Sequence, residues 1–173
     1  RTSPFPYGGH RFEFRAVGSA QNVSLVNTVL AAICAESFKD FADQIEGGKK
    51  PAEVAAAALN DHWKVIFNGN GYDPAWKDEA VKRGVWRIDS GVEAISKLGD
   101  EKNIELFSKM KVLSKDELIA RRDIDWEHYT GLVEIEASTM IDMITQHIVP
   151  ALKKEGMDAA AVIAGCDKIK AKL

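Results

Sequence analysis

Positions 11 to 15 read Arg-Phe-Glu-Phe-Arg, and a further arginine stands at position 1. In extended backbone, successive side chains point to opposite faces, so Arg11, Glu13 and Arg15 share one side and Phe12 and Phe14 the other. Guanidinium groups grip carboxylate and phosphate oxygens in pairs. Several of them, with Arg1 on the preceding loop, would suit an anionic substrate such as a nucleoside triphosphate or an amino acid. A carboxylate set among them is the ligand type for the Mg²⁺ that travels with phosphoryl groups. The same alternation also describes a solvated strand face with cross-strand ion pairs.

The element that must hold these groups is a strand from Arg11 to Val17, entered by a loop whose turn residues are Pro4, Pro6 and the Gly8-Gly9 pair. A lone strand cannot satisfy its own backbone, so its sheet partners must be supplied by missing sequence or another subunit. The chain opens at Arg1 without an initiator Met, which predicts processing or further upstream sequence.

From Leu25 onward the apolar period is helical. Leu30, Ile33, Cys34, Ser37, Phe41 and Ile45 form one stripe, ended by Gly47-Gly48. A second helix opens at Pro51 and runs through Trp63, Ile66 and Phe67 to the Asn68-Gly69-Asn70-Gly71 break. Asp73-Pro74 reads as a cap and first-turn proline for a short helix closing at Gly84. Short helical pieces follow over 89–98 and 100–109. Ser114 and Glu117 have capping-box spacing ahead of one long helix, whose stripe runs from Leu118 through Trp126, Tyr129, Val133 and Met140 to Ile148. That helix spans roughly 50 Å to Pro150, where a kink is expected, with Gly156 as its end, and Asp158 to Ala171 makes a last helix. The fold expected is mainly α: a helical bundle with a long central helix, preceded by one β-strand of an incomplete catalytic sheet. The division falls at 1–21 and 22–173.

Composition excludes several functions. The chain has 173 residues, 46% of them hydrophobic, and a net charge of -3 from 26 acidic and 23 basic residues, which gives no field for nucleic acid or acidic lipid. Cys34 and Cys166 stand alone in helical contexts, against a disulfide framework or a zinc site. No apolar run reaches the ~18 residues of a membrane span and no signal-peptide pattern opens the chain, so a reducing, cytoplasmic setting is expected. His10 reads as a turn residue, and His62, His128 and His147 have no partners at ligand spacing. Asn68 to Gly71 lacks the Lys-Ser or Lys-Thr of a phosphate loop and reads as a helix end. Trp63, Trp76, Trp86 and Trp126 read as core or interface packing. Glu134 and Glu136 diverge by about 200° on a helix and form no catalytic pair.

The run Arg1-Thr2-Ser3-Pro4-Phe5, with Gly9, Phe12-Glu13-Phe14-Arg15 and Val17-Gly18-Ser19, resembles the type III glutamine synthetases where their catalytic sheet runs into C-terminal helices. Asn27 to Leu30, Ile66 to Tyr72, Lys82-Arg83-Gly84 and Glu136 to Met143 resemble the same family. The resemblance implies an ATP-dependent glutamate–ammonia ligase acting through a γ-glutamyl phosphate. It makes Glu13 a ligand of Mg²⁺ (or Mn²⁺), Arg15 the residue beside glutamate and the transferred phosphoryl group, and Arg1 and Arg11 binders of ATP phosphates. It also implies a large ring-shaped homo-oligomer. His10 departs from the Asn expected there. The family's other acidic ligands, its histidine and its glutamate-binding loop have no counterpart in this sequence, so the chain is expected to be inactive alone. The competing reading is a non-catalytic helical module for protein interaction or oligomerisation.

Overall fold

In the computed structural model, residues 5–16, 18 and 21–173 are described. They are mainly helical, 69% of them in helix. In chain order the α-helices are α1 (Ser24–Glu46), α2 (Pro51–Asp61), α3 (Ala75–Lys82), α4 (Gly91–Ser96), α5 (Glu101–Lys109), α6 (Lys115–Met143), α7 (Val149–Lys154) and α8 (Ala160–Lys170). Single 3₁₀ turns lie at Trp63–Val65 and Lys97–Gly99.

The helix ends follow local chemistry. Asp73 Oδ1 accepts the Ala75 N–H at 3.0 Å and opens α3. Gly84, at φ 68°, closes it, with the Val85 N–H reaching back to the Ala80 carbonyl. At the start of α6 the Ser114 hydroxyl accepts the Glu117 N–H, and the Glu117 carboxylate accepts the Ser114 N–H at 2.7 Å. Hydrogen bonds from the Ser114 backbone and then its hydroxyl hold the Glu117 carboxyl below its usual range. The second helix is shorter than the sequence suggests. It stops at Asp61, and Trp63 to Val65 make a tighter turn before extended backbone at Ile66.

The long helix runs through Pro150 to the end expected at Gly156. Proline at position 150 removes a backbone donor and its ring crowds the carbonyl four residues back. A π turn over Ile144–Ile148 absorbs the misfit, with the Val149 N–H bonding the Ile144 carbonyl five residues earlier. The result is one continuous helix of 40 residues, about 60 Å long, stopped by Gly156 at φ 67°.

The core sits at one end of this spine. Ala32 of α1, Ile104 and Phe107 of α5 and Leu118 of α6 form a buried cluster, with Val29, Leu113 and Ile119 packed against it. The bulky stripe expected on α1 is not its packed face: Ile33, Cys34 and Ile45 are exposed while Ala32 is buried. Farther along, α8 folds back on α6 and the π turn. The chain exposes 13055 Å², against about 8,400 Å² for a compact monomer of its mass. Much apolar side-chain surface therefore has no cover within the chain.

Among the described residues no strand forms beyond a single antiparallel bridge, Tyr7 to Phe12. The expected strand from Arg11 to Val17 is not seen there, and Val17 lies outside the described residues. The physical reason is the one the alternation implied: a ladder needs a neighbour, and a two-stranded ribbon is marginal by itself.

Candidate functional site

The bridge makes a tight hairpin. The Gly8 N–H bonds the Arg11 carbonyl at 2.7 Å and the Glu13 N–H bonds the Pro6 carbonyl at 3.1 Å. Gly9 turns the chain at φ 86°, a conformation that carries no penalty only for glycine. On one face Phe5 stacks on Phe12 at 5.1 Å and meets Phe14 edge-on at 6.1 Å, while Tyr7 leans on Phe12 from the other side. This aromatic pile sets Phe12 and Phe14 on a common face, as alternation requires.

On the opposite face Arg15 grips Glu13 with two parallel bonds, Nε to Oε1 at 2.8 Å and Nη2 to Oε2 at 3.0 Å. The hydrogen bond and then the charge of Glu13 make the Arg15 guanidinium more basic than usual, with burial opposing and the Tyr72 phenol adding a little. Arg11 is not drawn into the cluster. Its side chain lies along Gly8, where a Cβ would meet its Cγ at 3.4 Å, and it makes no ion pair among the described residues. Arg1 lies outside the described residues. Of the four groups expected to converge, the structure thus joins Glu13 and Arg15. His10 sits exposed at the hairpin tip.

A second polar cluster holds the loop that carries Tyr72. Arg83 pairs with Glu79 at 2.8 Å, donates from Nη1 to the Ile66 carbonyl at 2.9 Å and stacks over Trp76 at 5.3 Å. Phe67 and Trp76 meet with ring centres 4.1 Å apart, flooring an open cleft of about 230 Å³. Asn70 Oδ1 accepts the Tyr72 N–H at 3.1 Å, a side-chain turn that shapes the loop. Sequence patterning does not reveal this latch, because Arg83 and Ile66 are far apart in the chain and only the loop's path joins them. Replacing Arg83 with Lys keeps the charge but loses the fork and the stacking. We expect a loss of about 1 kcal/mol in urea unfolding and a red-shifted Trp76 emission. The Arg83 hydrogen bond holds the Glu79 carboxyl below its ordinary range. A depressed carboxylate stabilises the fold above its unfolded pKa, and that contribution is lost as pH falls through the lower folded value. R83K should therefore weaken the acid-side dependence of stability.

The tryptophans divide. Trp76 is half-buried in the latch, and Trp126 donates to the Val92 carbonyl at 3.1 Å with Arg122 stacked on its ring. Trp63 and Trp86 are 64% and 67% exposed and do not belong to the core. Among the described residues no group of three or more His, Cys, Asp or Glu could hold a metal ion. None of the described helices is long and apolar enough to cross a membrane. Both cysteines are free.

Comparison with known proteins places the helical region in a family. Residues 52–165 match the family model of the glutamine synthetase C-terminal domain. The chain is 39% identical over 158 residues to the Type-3 glutamine synthetase of Dictyostelium discoideum, covering 87% of this chain and 22% of that protein. It is 32% identical to a glutamine synthetase of Bacteroides fragilis (strain YCH46), with the same coverage of each chain. To one of Butyrivibrio fibrisolvens it is 29% identical, over 88% of this chain and 22% of that one. The chain thus spans about a fifth of the length of these relatives. With most of its helical region inside the family model, the chain belongs to the glutamine synthetase C-terminal domain family.

Proposed function

We propose that the chain serves as the C-terminal part of a glutamate–ammonia ligase, which forms glutamine from glutamate, ammonia and ATP through a γ-glutamyl phosphate. The observation that carries this reading is the juxtaposition of a family-matched helical region with a hairpin presenting Glu13 and Arg15. Arg15 already grips a carboxylate through two parallel bonds from one edge of its guanidinium. That is the geometry suited to the glutamate side chain or to the phosphoryl group passing to it. Arg11 and Arg1 serve ATP phosphates in this reading, Arg11 having a guanidinium uncommitted to any carboxylate among the described residues.

The described residues do not by themselves fit a Mg²⁺ or Mn²⁺ ion. They hold no cluster of ligands, and the Glu13 oxygens both face Arg15. Glu13 enters the proposal as one ligand of a set completed from elsewhere in the enzyme. Pairing of residues 11–17 with a neighbouring strand of a catalytic sheet belongs to the same proposal. The helices serve packing within a ring-shaped homo-oligomer in the cytoplasm.

The test is glutamine formation. Protein expressed at the full length its gene encodes should make glutamine only when ATP, glutamate and ammonia are all supplied. The 173-residue chain alone should make none. A full-length protein inactive under these conditions, or a turnover-competent isolated chain, would overturn the reading.

A further inference from the structure

The midsection of α6 is uncovered. Its N-terminal part packs on α4, α5 and the turn at Lys97–Gly99, and the helix meets α8 farther along. Between these contacts Leu132, Val133, Ile135 and Met140 are all exposed, Ile135 at 64%. At roughly 100° per residue, Ile135, Leu132, Met143, Tyr129, Met140 and Val133 fall within about 160° of arc, a broad apolar face and not a scatter. A contiguous exposed apolar face of this breadth marks a contact surface, and the excess surface of the chain points the same way.

Charge specifies what covers it. From residue 123 to residue 152 there are six carboxylates and no Lys or Arg, in a chain whose net charge is only -3. Glu136 projects near the middle of the apolar arc and has no ion-pair partner among the described residues. Burying it unpaired would cost several kcal/mol, so an occupant must bring a cation to that point. A second copy of the same face, set against it by two-fold symmetry, would bring no Lys or Arg to Glu136, only the imidazole of His128 or His147. We infer that this midsection seats an apolar helix bearing a Lys or Arg opposite Glu136, supplied by the part of the family's longer polypeptide that this chain does not span. The relatives support that source, since the chain covers 22% of their length. The inference rests on family membership and not on the reaction proposed above.

A photo-crosslinking residue placed at Ile135 or Val133 of the full-length protein tests it. Both positions are exposed here, so the label leaves the core intact, and helix content is checked by circular dichroism. The expected adduct maps to a peptide outside the 173 residues, with a Lys or Arg within one helical turn of the linked atom. Glu136→Lys should reduce its yield at least tenfold, while Glu134→Lys, on the opposite side of the helix, should leave it unchanged. Absence of an adduct, an adduct to residues 123–142 of a second copy, an adduct to an acidic peptide, or equal effects of the two variants would each overturn the inference. Cross-linking is read without turnover, so its failure is separable from failure of the ligase assignment.

Discussion

Leu118→Ala should lower the urea midpoint of the 173-residue chain by about 1–2 M, the equivalent of roughly 2–5 kcal/mol at ordinary denaturant slopes. Leu118 is 0% exposed and contacts the cluster of Ala32, Ile104 and Phe107, the junction where α1, α5 and α6 meet. Truncation removes the transfer energy of the lost carbons and leaves a cavity that three helices cannot close without moving. Few side chains in this chain are buried so completely, so the loss is a large share of a small total. Leu132→Ala is the control. Leu132 is 42% exposed on the bare midsection, and its truncation should shift the isolated chain by no more than about 0.5 kcal/mol. If the two variants unfold at the same urea concentration, the core assignment fails.

The contrast between those two leucines shows what could be read in the sequence. Both lie on helical apolar patterns, and pattern alone cannot say which is covered. Helix starts and stops were legible because they are set locally: Asp73 before α3, Ser114 and Glu117 at α6, Gly84 and Gly156 at positive φ. The way the helix accommodates Pro150 was not, because a shift to π bonding depends on a whole turn and not on one residue. On α1 the bulky stripe promised the packed face, yet Ala32 carries the contact. Small residues let helices approach closely, while large ones await a partner that the pattern does not name. The expected strand depends likewise on a neighbour.

The candidate site was legible to a similar degree. Residues two apart in extended backbone share a face, which is enough to bring Arg15 to Glu13. Arg11 has the same parity but sits at the hairpin turn, where the bond from the Gly8 N–H to its carbonyl fixes its backbone against the return segment. The Arg83 latch on the Ile66 carbonyl had no sequence signal, because only the path of the intervening loop joins the two residues.

In the full-length enzyme, Arg15→Ala should reduce kcat for glutamine formation by about 10²–10³, the usual cost of deleting one preorganised group that stabilises developing charge. Arg15→Lys retains the positive charge but not the planar fork, so it should recover only part of that loss. Glu13→Gln should also depress turnover, and the manner of the loss distinguishes two roles. If Glu13 merely orients Arg15, the amide still accepts one of the two hydrogen bonds, and the defect should not respond to divalent ion concentration. If Glu13 is itself a metal ligand, the concentration of Mg²⁺ or Mn²⁺ needed for half-maximal activity should rise by about tenfold or more. The isolated chain supplies the structural control, because Glu13 and Arg15 are exposed and take no part in the Leu118 cluster. Neither substitution should move its urea midpoint appreciably. Wild-type turnover in the Arg15→Ala and Glu13→Gln enzymes would instead favour the helical interaction module, with the hairpin a solvated ion pair and nothing more.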